Sequence, residues 1–302
     1  MSIVVVGSVA FDSVKTPFGQ CEQALGGAAN YFSMSASFFS PVRLVAVVGQ
    51  DFPQDHLDFL KTRGVDIDGI QKQAGKTFHW QGRYGYDLNE AQTLKTELNV
   101  FADFRPELPA HYRKSETVFL ANIDPVLQLK VLEQIESPKL VALDTMNFWI
   151  ESKKDDLLKV IRRVDILFIN ETELRQLTKE HSIVKAVRHI QAMGPKTLVV
   201  KRGEYGALLF DGHEKFFVPA FLLEDLFDPT GAGDTFAGGF LGWMDKKQSN
   251  GLSTFKEAMM VGTVMASFVI EDFSFKRLSR LEPHEIEARL QKLRALSEMP
   301  EW

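Results

Sequence analysis

The chain has 302 residues, of which 45% are apolar and 25% charged, with 35 Lys and Arg against 40 Asp and Glu. That composition suits a globular protein rather than a disordered one, and a formal charge of −5 argues against wholesale attraction to nucleic acid or an anionic membrane. A lone cysteine, Cys21, rules out an intrachain disulfide and a cysteine-based zinc site. The N-terminal MSIVVVGS lacks the charged flank and cleavage site of a secretory signal, and the longest apolar stretches, around 44–48 and 259–270, are too short to span a bilayer. A cytoplasmic protein without membrane or nucleic-acid partners is the expectation.

Residues 3–6 form a short, uninterrupted apolar run, as do 44–48, 118–121, 140–143, 166–169 and 198–200. Runs of this kind suit strands buried on both faces, which need no alternation of polar and apolar residues. Helical patterns lie between them. Pro53 starts one that carries Leu57 and Leu60 and stops at Gly64. A second sets Leu129, Leu132 and Ile135 on one side, and a third groups Ile183, Val187 and Ile190 before Gly194. Residues 283–296 read as a terminal amphipathic helix using Ile286, Leu290 and Leu293. Strand–helix repetition predicts an α/β fold with a mainly parallel central sheet, flanked by helices on both faces.

Residues 77–98 break this rhythm. Phe78, Trp80 and Tyr84 favour a pleated surface and 87–89 reads as a turn, so two antiparallel strands are predicted. A smaller strand pair is predicted within 14–25. Together, about 13–25 and 77–100 would form a small β lid on a single domain covering 1–302, with an ordinary surface hairpin as the plainer alternative. The aromatic lid also offers a surface for homodimer contact.

The most informative run is Asp228-Pro229-Thr230-Gly231-Ala232-Gly233-Asp234. Gly231, Ala232 and Gly233 leave room for a ligand, and Phe236, Phe240 and Met244 mark the buried face of a following helix. A loop that opens a helix presents backbone N–H groups without intrahelical partners, which can hold phosphate. Asp234, at the helix start, is suited to accept a proton from an attacking hydroxyl. The run lacks the GK[ST] of a Walker loop, and no dinucleotide GxGxxG follows the first strand.

Four further motifs accompany it: Gly7-Ser8 with Asp12, Gly26-Gly27-Ala28-Ala29-Asn30, Asn170-Glu171-Thr172-Glu173, and Lys201-Arg202-Gly203-Glu204-Tyr205-Gly206. In this order the chain resembles the ribokinase-like (PfkB) family of carbohydrate and nucleoside kinases, from residue 3 to about 270. The resemblance implies a ribokinase-like three-layer fold and ATP-dependent phosphorylation of a hydroxyl on a small sugar or nucleoside. It implies Asp234 as the base, with Gly231, Ala232 and Gly233 as the anion hole. Asp12, Gly26, Gly27 and Asn30 would line the acceptor pocket. Asn170, Lys201, Gly203, Gly206 and Thr230 would serve ATP, with Glu173 holding Mg²⁺ through water. Asp228, beside Thr230, would serve a monovalent cation such as K⁺. A sugar-phosphate kinase of the same family and a non-catalytic nucleotide- or sugar-binding module are the alternatives. Ala258, Gly262 and Ala266 could flank adenine, although close packing against another helix is the simpler reading of small residues at this spacing.

Overall fold

The computed structural model describes residues 2–296 and Glu298. The chain opens with β1 (Ile3–Val6), β2 (Ala10–Thr16) and β3 (Gly19–Gly26), then enters α1 (Ala28–Ala36). Next come β4 (Val42–Val48), α2 (Gln54–Thr62) and β5 (Val65–Lys72), followed by the hairpin of β6 (His79–Tyr84) and β7 (Ala91–Glu97). Strands and helices then alternate through β8 (Thr117–Leu120), α3 (Pro125–Leu132), β9 (Leu140–Asp144), α4 (Asn147–Ser152) and α5 (Lys154–Ile161). The alternation continues with β10 (Ile166–Asn170), α6 (Glu171–Thr178), α7 (Ile183–Gln191) and β11 (Thr197–Lys201). A hairpin of β12 (Ala207–Asp211) and β13 (Glu214–Val218) precedes α8 (Ala232–Lys247), α9 (Leu252–Val269), α10 (Lys276–Ser279) and α11 (Pro283–Leu296).

Nine strands form the main sheet in the order β13-β12-β11-β10-β9-β8-β1-β4-β5. The seven from β11 to β5 are parallel, and the β12–β13 hairpin adds an antiparallel edge. Each of the six apolar runs read from the sequence is a parallel strand. Their side chains split by the two-residue period of a strand. Ile3, Val5, Leu44, Ala46 and Phe168 pack with α1, α2, α8 and α9 on one face. Val4, Val6, Val45, Val47 and Leu167 pack with α3, α5, α6 and α7 on the other. From β1 the chain winds toward β4 on one side and later toward β8 on the other, so the carboxyl ends of these strands open a crevice at the point where winding reverses.

The lid is a second sheet of order β3-β2-β6-β7. Both predicted strand pairs are antiparallel, but a parallel β2–β6 pairing joins them into one layer. Two local readings shift. Pro53 is the N-cap of α2 rather than its first residue. Asp124 caps α3 and accepts from Val126 N–H, which starts the helix early enough that Gln128, Val131 and Leu132 form its buried set and Ile135 lies beyond its end. Among the described residues no helix is long and apolar enough to cross a membrane.

Candidate active site

The helix α8 starts directly after Gly231, whose φ of 75° lies in the left-handed region. The Tyr31 ring lies so close to Gly231 that any Cβ there would overlap it, so two independent demands select glycine at this position. Asp228, 2% exposed, shapes the approach by accepting from Thr230 N–H at 2.9 Å. Ala232 N–H donates to Pro229 O at 3.1 Å and Thr235 N–H to Gly231 O at 2.8 Å. Ser35 Oγ donates to Thr235 O at 2.7 Å, tying this first turn to α1. The remaining first-turn amides form the positive end of a sixteen-residue helix.

Five acids and one lysine surround this turn. Asp144, which ends β9, holds Lys201, which ends β11, at 2.6 Å. Although burial opposes its charge, the Lys201 ammonium is held above its usual pKa by Asp144, Glu173 and Asp234. The Asp234 carboxyl is pushed up to about 7, first by desolvation and then by the Asp144 charge, with Lys201 pulling the other way. Asp12 is also pushed up to about 7, by burial and by Asp228, while the Gly27 N–H bonded to its carboxylate opposes the shift. Glu173 reaches about 7 for the same primary reason, burial, despite Lys201. A carboxylate in this range accepts protons near neutral pH far better than an ordinary surface acid.

Asn170 and Glu173 form a reciprocal capping box: Glu173 N–H donates to Asn170 Oδ1 at 2.7 Å, and Asn170 N–H to Glu173 Oε2 at 3.0 Å. Among the described residues no hydrogen bond uses Glu173 Oε1, which leaves one oxygen of a buried carboxylate for a water or a cation. Gly203 and Gly206 shape the turn after β11, where Gly206 N–H closes on Gly203 O at 3.1 Å. Arg202 pairs with Glu171 at 2.5 Å and is bound within the surface of α6.

At the turn between β3 and α1, the Asp12 carboxylate lies against Gly26, where any Cβ would overlap it. Gly27, at φ 96°, brings its Cα against Ser8 O and Ala10 N, which again leaves no room for a side chain. The lid bridges both ends of the crevice. Tyr84 Oη accepts from Thr230 Oγ1 at 3.2 Å, and at the lid tip Glu90 accepts from Thr172 at 3.4 Å while Asn89 lies against Gly203.

Residues 2–277 match the model of the pfkB family of carbohydrate kinases. The chain belongs to this family. It is 35% identical over 247 residues to a cytidine kinase from Thermococcus kodakarensis, a match covering 80% of this chain and 87% of that one. Its structure is similar to a Burkholderia thailandensis nucleoside kinase solved in complex with inosine, with a TM-score of 0.76, 18% identity and coverage of 99% and 100%. It is likewise similar to an aminoimidazole riboside kinase from Salmonella enterica solved with aminoimidazole riboside and an ATP analogue, with a TM-score of 0.73, 18% identity and coverage of 96% and 100%. The protein is a sugar or nucleoside kinase with the ribokinase fold.

For this kinase the structure sets Asp12 within electrostatic reach of Asp228 and Asp234, and Asp234 within reach of Lys201 and Glu173. Asn30, read from the sequence as an acceptor ligand, is wholly buried, donating to Gly26 O at 3.2 Å. Gly262 packs on Phe236 of α8, so the small residues of α9 serve helix contact. Sequence reasoning missed Asp144 and the lid-to-loop role of Tyr84. The signal available for Asp144 was its place at the carboxyl end of a buried strand, where Asn170 and Lys201 also stand.

Proposed function

We propose that the chain phosphorylates a hydroxyl of a nucleoside, with ATP as donor. The carrying observation is Asp234, a carboxylate poised near pH 7 in the first turn of α8, directly behind the Gly231–Gly233 loop. Asp12, at the mouth of the Gly26–Gly27 loop, holds the acceptor hydroxyls. As the acceptor oxygen bonds to the γ-phosphorus, its proton passes to Asp234 and the bond from that phosphorus to the β-phosphate bridging oxygen breaks, releasing ADP. Charge developing on the transferring group meets the amides of Gly231 and Gly233, the Ala232 N–H being turned to Pro229 O. Lys201, Asn170 and the 203–206 turn face the donor phosphates and ribose. Glu173, with Oε1 free, fits an outer-shell partner of Mg²⁺, which supplies charge neutralisation at the phosphates when bound. Asp228 is buried and has no cationic side chain paired to it among the described residues, which fits a monovalent cation such as K⁺ beside Thr230.

A nucleoside is favoured over a bare sugar by Trp80. Paired with Asp12 across β2 and β6, it shares the face of the lid that carries that acid. Its indole N–H donates to Thr93 Oγ1 at 3.1 Å, and its six-membered ring lies against Gly82, where no Cβ would fit. The indole is only half-buried, which leaves aromatic surface for stacking a base. Phe78 is instead stacked on Phe101, and Tyr86 is 87% exposed. Relatives named for cytidine and nucleoside phosphorylation support the same reading.

The test is ADP release with cytidine, inosine, adenosine, ribose and fructose 6-phosphate as acceptors. Nucleosides should be turned over fastest. Trp80→Ala should raise their KM about 5- to 100-fold, as loss of one base–aromatic stack implies, with ribose unaffected. Ribose or the sugar phosphate outrunning every nucleoside would overturn the assignment.

A further inference from the structure

We infer that His56 is a positioning residue for the acceptor site, acting through Asn30 on the loop that shapes and steadies Asp12. The inference rests on the reading of Asp12 as the acceptor ligand. His56 lies on α2, outside the motifs named above, and is 7% exposed. Its Nε2 is 3.0 Å from Asn30 Oδ1. The opposite end of that amide, Nδ2, donates to Gly26 O at 3.2 Å, so Asn30 presents an oxygen to the imidazole and Nε2 must carry the proton. From Gly26 the chain of contacts runs on: the Asp12 carboxylate packs against Gly26 and accepts from Gly27 N–H.

The surroundings of His56 fix both its orientation and its charge. Phe275 stacks on the ring at 5.6 Å and 24°, with Phe52 edge-on at 5.9 Å and Phe59 tilted at 6.4 Å. Burial in this aromatic nest lowers its pKa to about 4, which keeps a neutral, single-donor imidazole across the working range. Asn30 is itself wholly buried, so without the His56 donor its Oδ1 would be left unpaired and the amide free to flip away from Gly26. The consequence falls on Asp12, one loop removed, and so on acceptor binding rather than on the phosphoryl step.

Three variants test this: His56→Phe, which keeps the aromatic packing and loses the donor; His56→Gln, whose amide nitrogen can replace Nε2–H; and Asp12→Asn, which probes the underlying reading. Steady-state kinetics use ATP–Mg²⁺ with cytidine, or with whichever acceptor in the panel is turned over fastest, alongside thermal melts. The expected result is that His56→Phe raises acceptor KM about tenfold, with kcat and ATP KM within about twofold of wild type, and that His56→Gln recovers most of the loss. Acceptor KM unchanged in His56→Phe, while Asp12→Asn loses acceptor binding, would overturn the role of His56 and leave the acceptor site standing. Equal impairment of the Gln and Phe variants would overturn the donor role. An unchanged acceptor KM in Asp12→Asn would bring down the reading of Asp12, and the inference with it.

Discussion

Replacing Asp234 by Asn should separate catalysis from stability in opposite directions. The amide keeps the shape and hydrogen-bonding reach of the side chain but cannot take the acceptor proton. General-base assistance is worth about 10²- to 10⁴-fold, so kcat should fall by that factor, about 3–5 kcal/mol of barrier. In the wild type the base is effective only when ionised. With its carboxyl pushed up to about 7, kcat/KM should fall as pH drops through neutrality, leaving about a tenth of the base ionised at pH 6. Stability moves the other way. An acid whose pKa rises on folding leaves the native state holding more protons than the unfolded chain from pH 3.8 to 7, so the stability present below pH 3.8 is lost as pH climbs through that window. Lifting the carboxyl to about 7 costs the fold up to about 4 kcal/mol above neutrality. Asp234→Asn should therefore melt several degrees above wild type at pH 8, with the advantage shrinking toward zero below pH 4. Coupled ADP release and melting curves across pH 4–9 read both effects. Turnover within tenfold of wild type in a folded variant, or a wild-type acid limb near pH 4, would refute the base assignment.

Gly231→Ala should lower kcat by at least about 10²-fold and destabilise by about 1–3 kcal/mol, because the left-handed backbone and the Tyr31 ring both exclude a Cβ; normal activity by ADP release would refute the loop geometry. Tyr84→Phe removes the lid's hydrogen bond to Thr230, worth about 1 kcal/mol, and should raise ATP hydrolysis without acceptor about fivefold; a water-tight variant would refute the latch. Asp144→Asn should cost about 3 kcal/mol by urea unfolding, because Lys201 loses its closest partner. The same change removes the charge that helps raise Asp234 and leaves the opposing pull of Lys201, so the acid limb of kcat/KM should move to lower pH; an upward move would refute the coupling.

What could be read from the sequence tracks the range of the interactions that decide it. The six parallel strands were legible because burial on both faces writes itself locally, in runs such as 3–6 and 166–169. The loop before α8 was legible because glycine demands are local too. The capping box of Asn170 and Glu173 links residues only three apart, within the same local range. Pairings that join distant segments were hidden. Lys201 meets Asp144 across 57 positions and Thr230 meets Tyr84 across 146, and nothing in either neighbourhood names the partner. Asn30 shows the limit from the other side. Its residue type and place beside two glycines fit a ligand, but its hydrogen bonds to Gly26 O and to His56, 26 positions away, are written nowhere in that neighbourhood.

The acids explain why such a site should depend on added cations. Asp12, Asp144, Glu173, Asp228 and Asp234 face a single lysine, and the incoming donor is a polyanion. Lys201 cannot offset both, since Asp144 already holds it at 2.6 Å. Partial protonation softens the conflict: with Asp12, Glu173 and Asp234 near 7, fewer than all the carboxylates are charged at neutral pH. Metal binding would deprotonate the acids it approaches, so Mg²⁺ affinity should fall as pH drops below 7 even where ATP itself remains ionised. The same burial that makes Asp234 basic enough to take a proton therefore sets these carboxylates against one another. Cations and the backbone amides before α8 would share that charge.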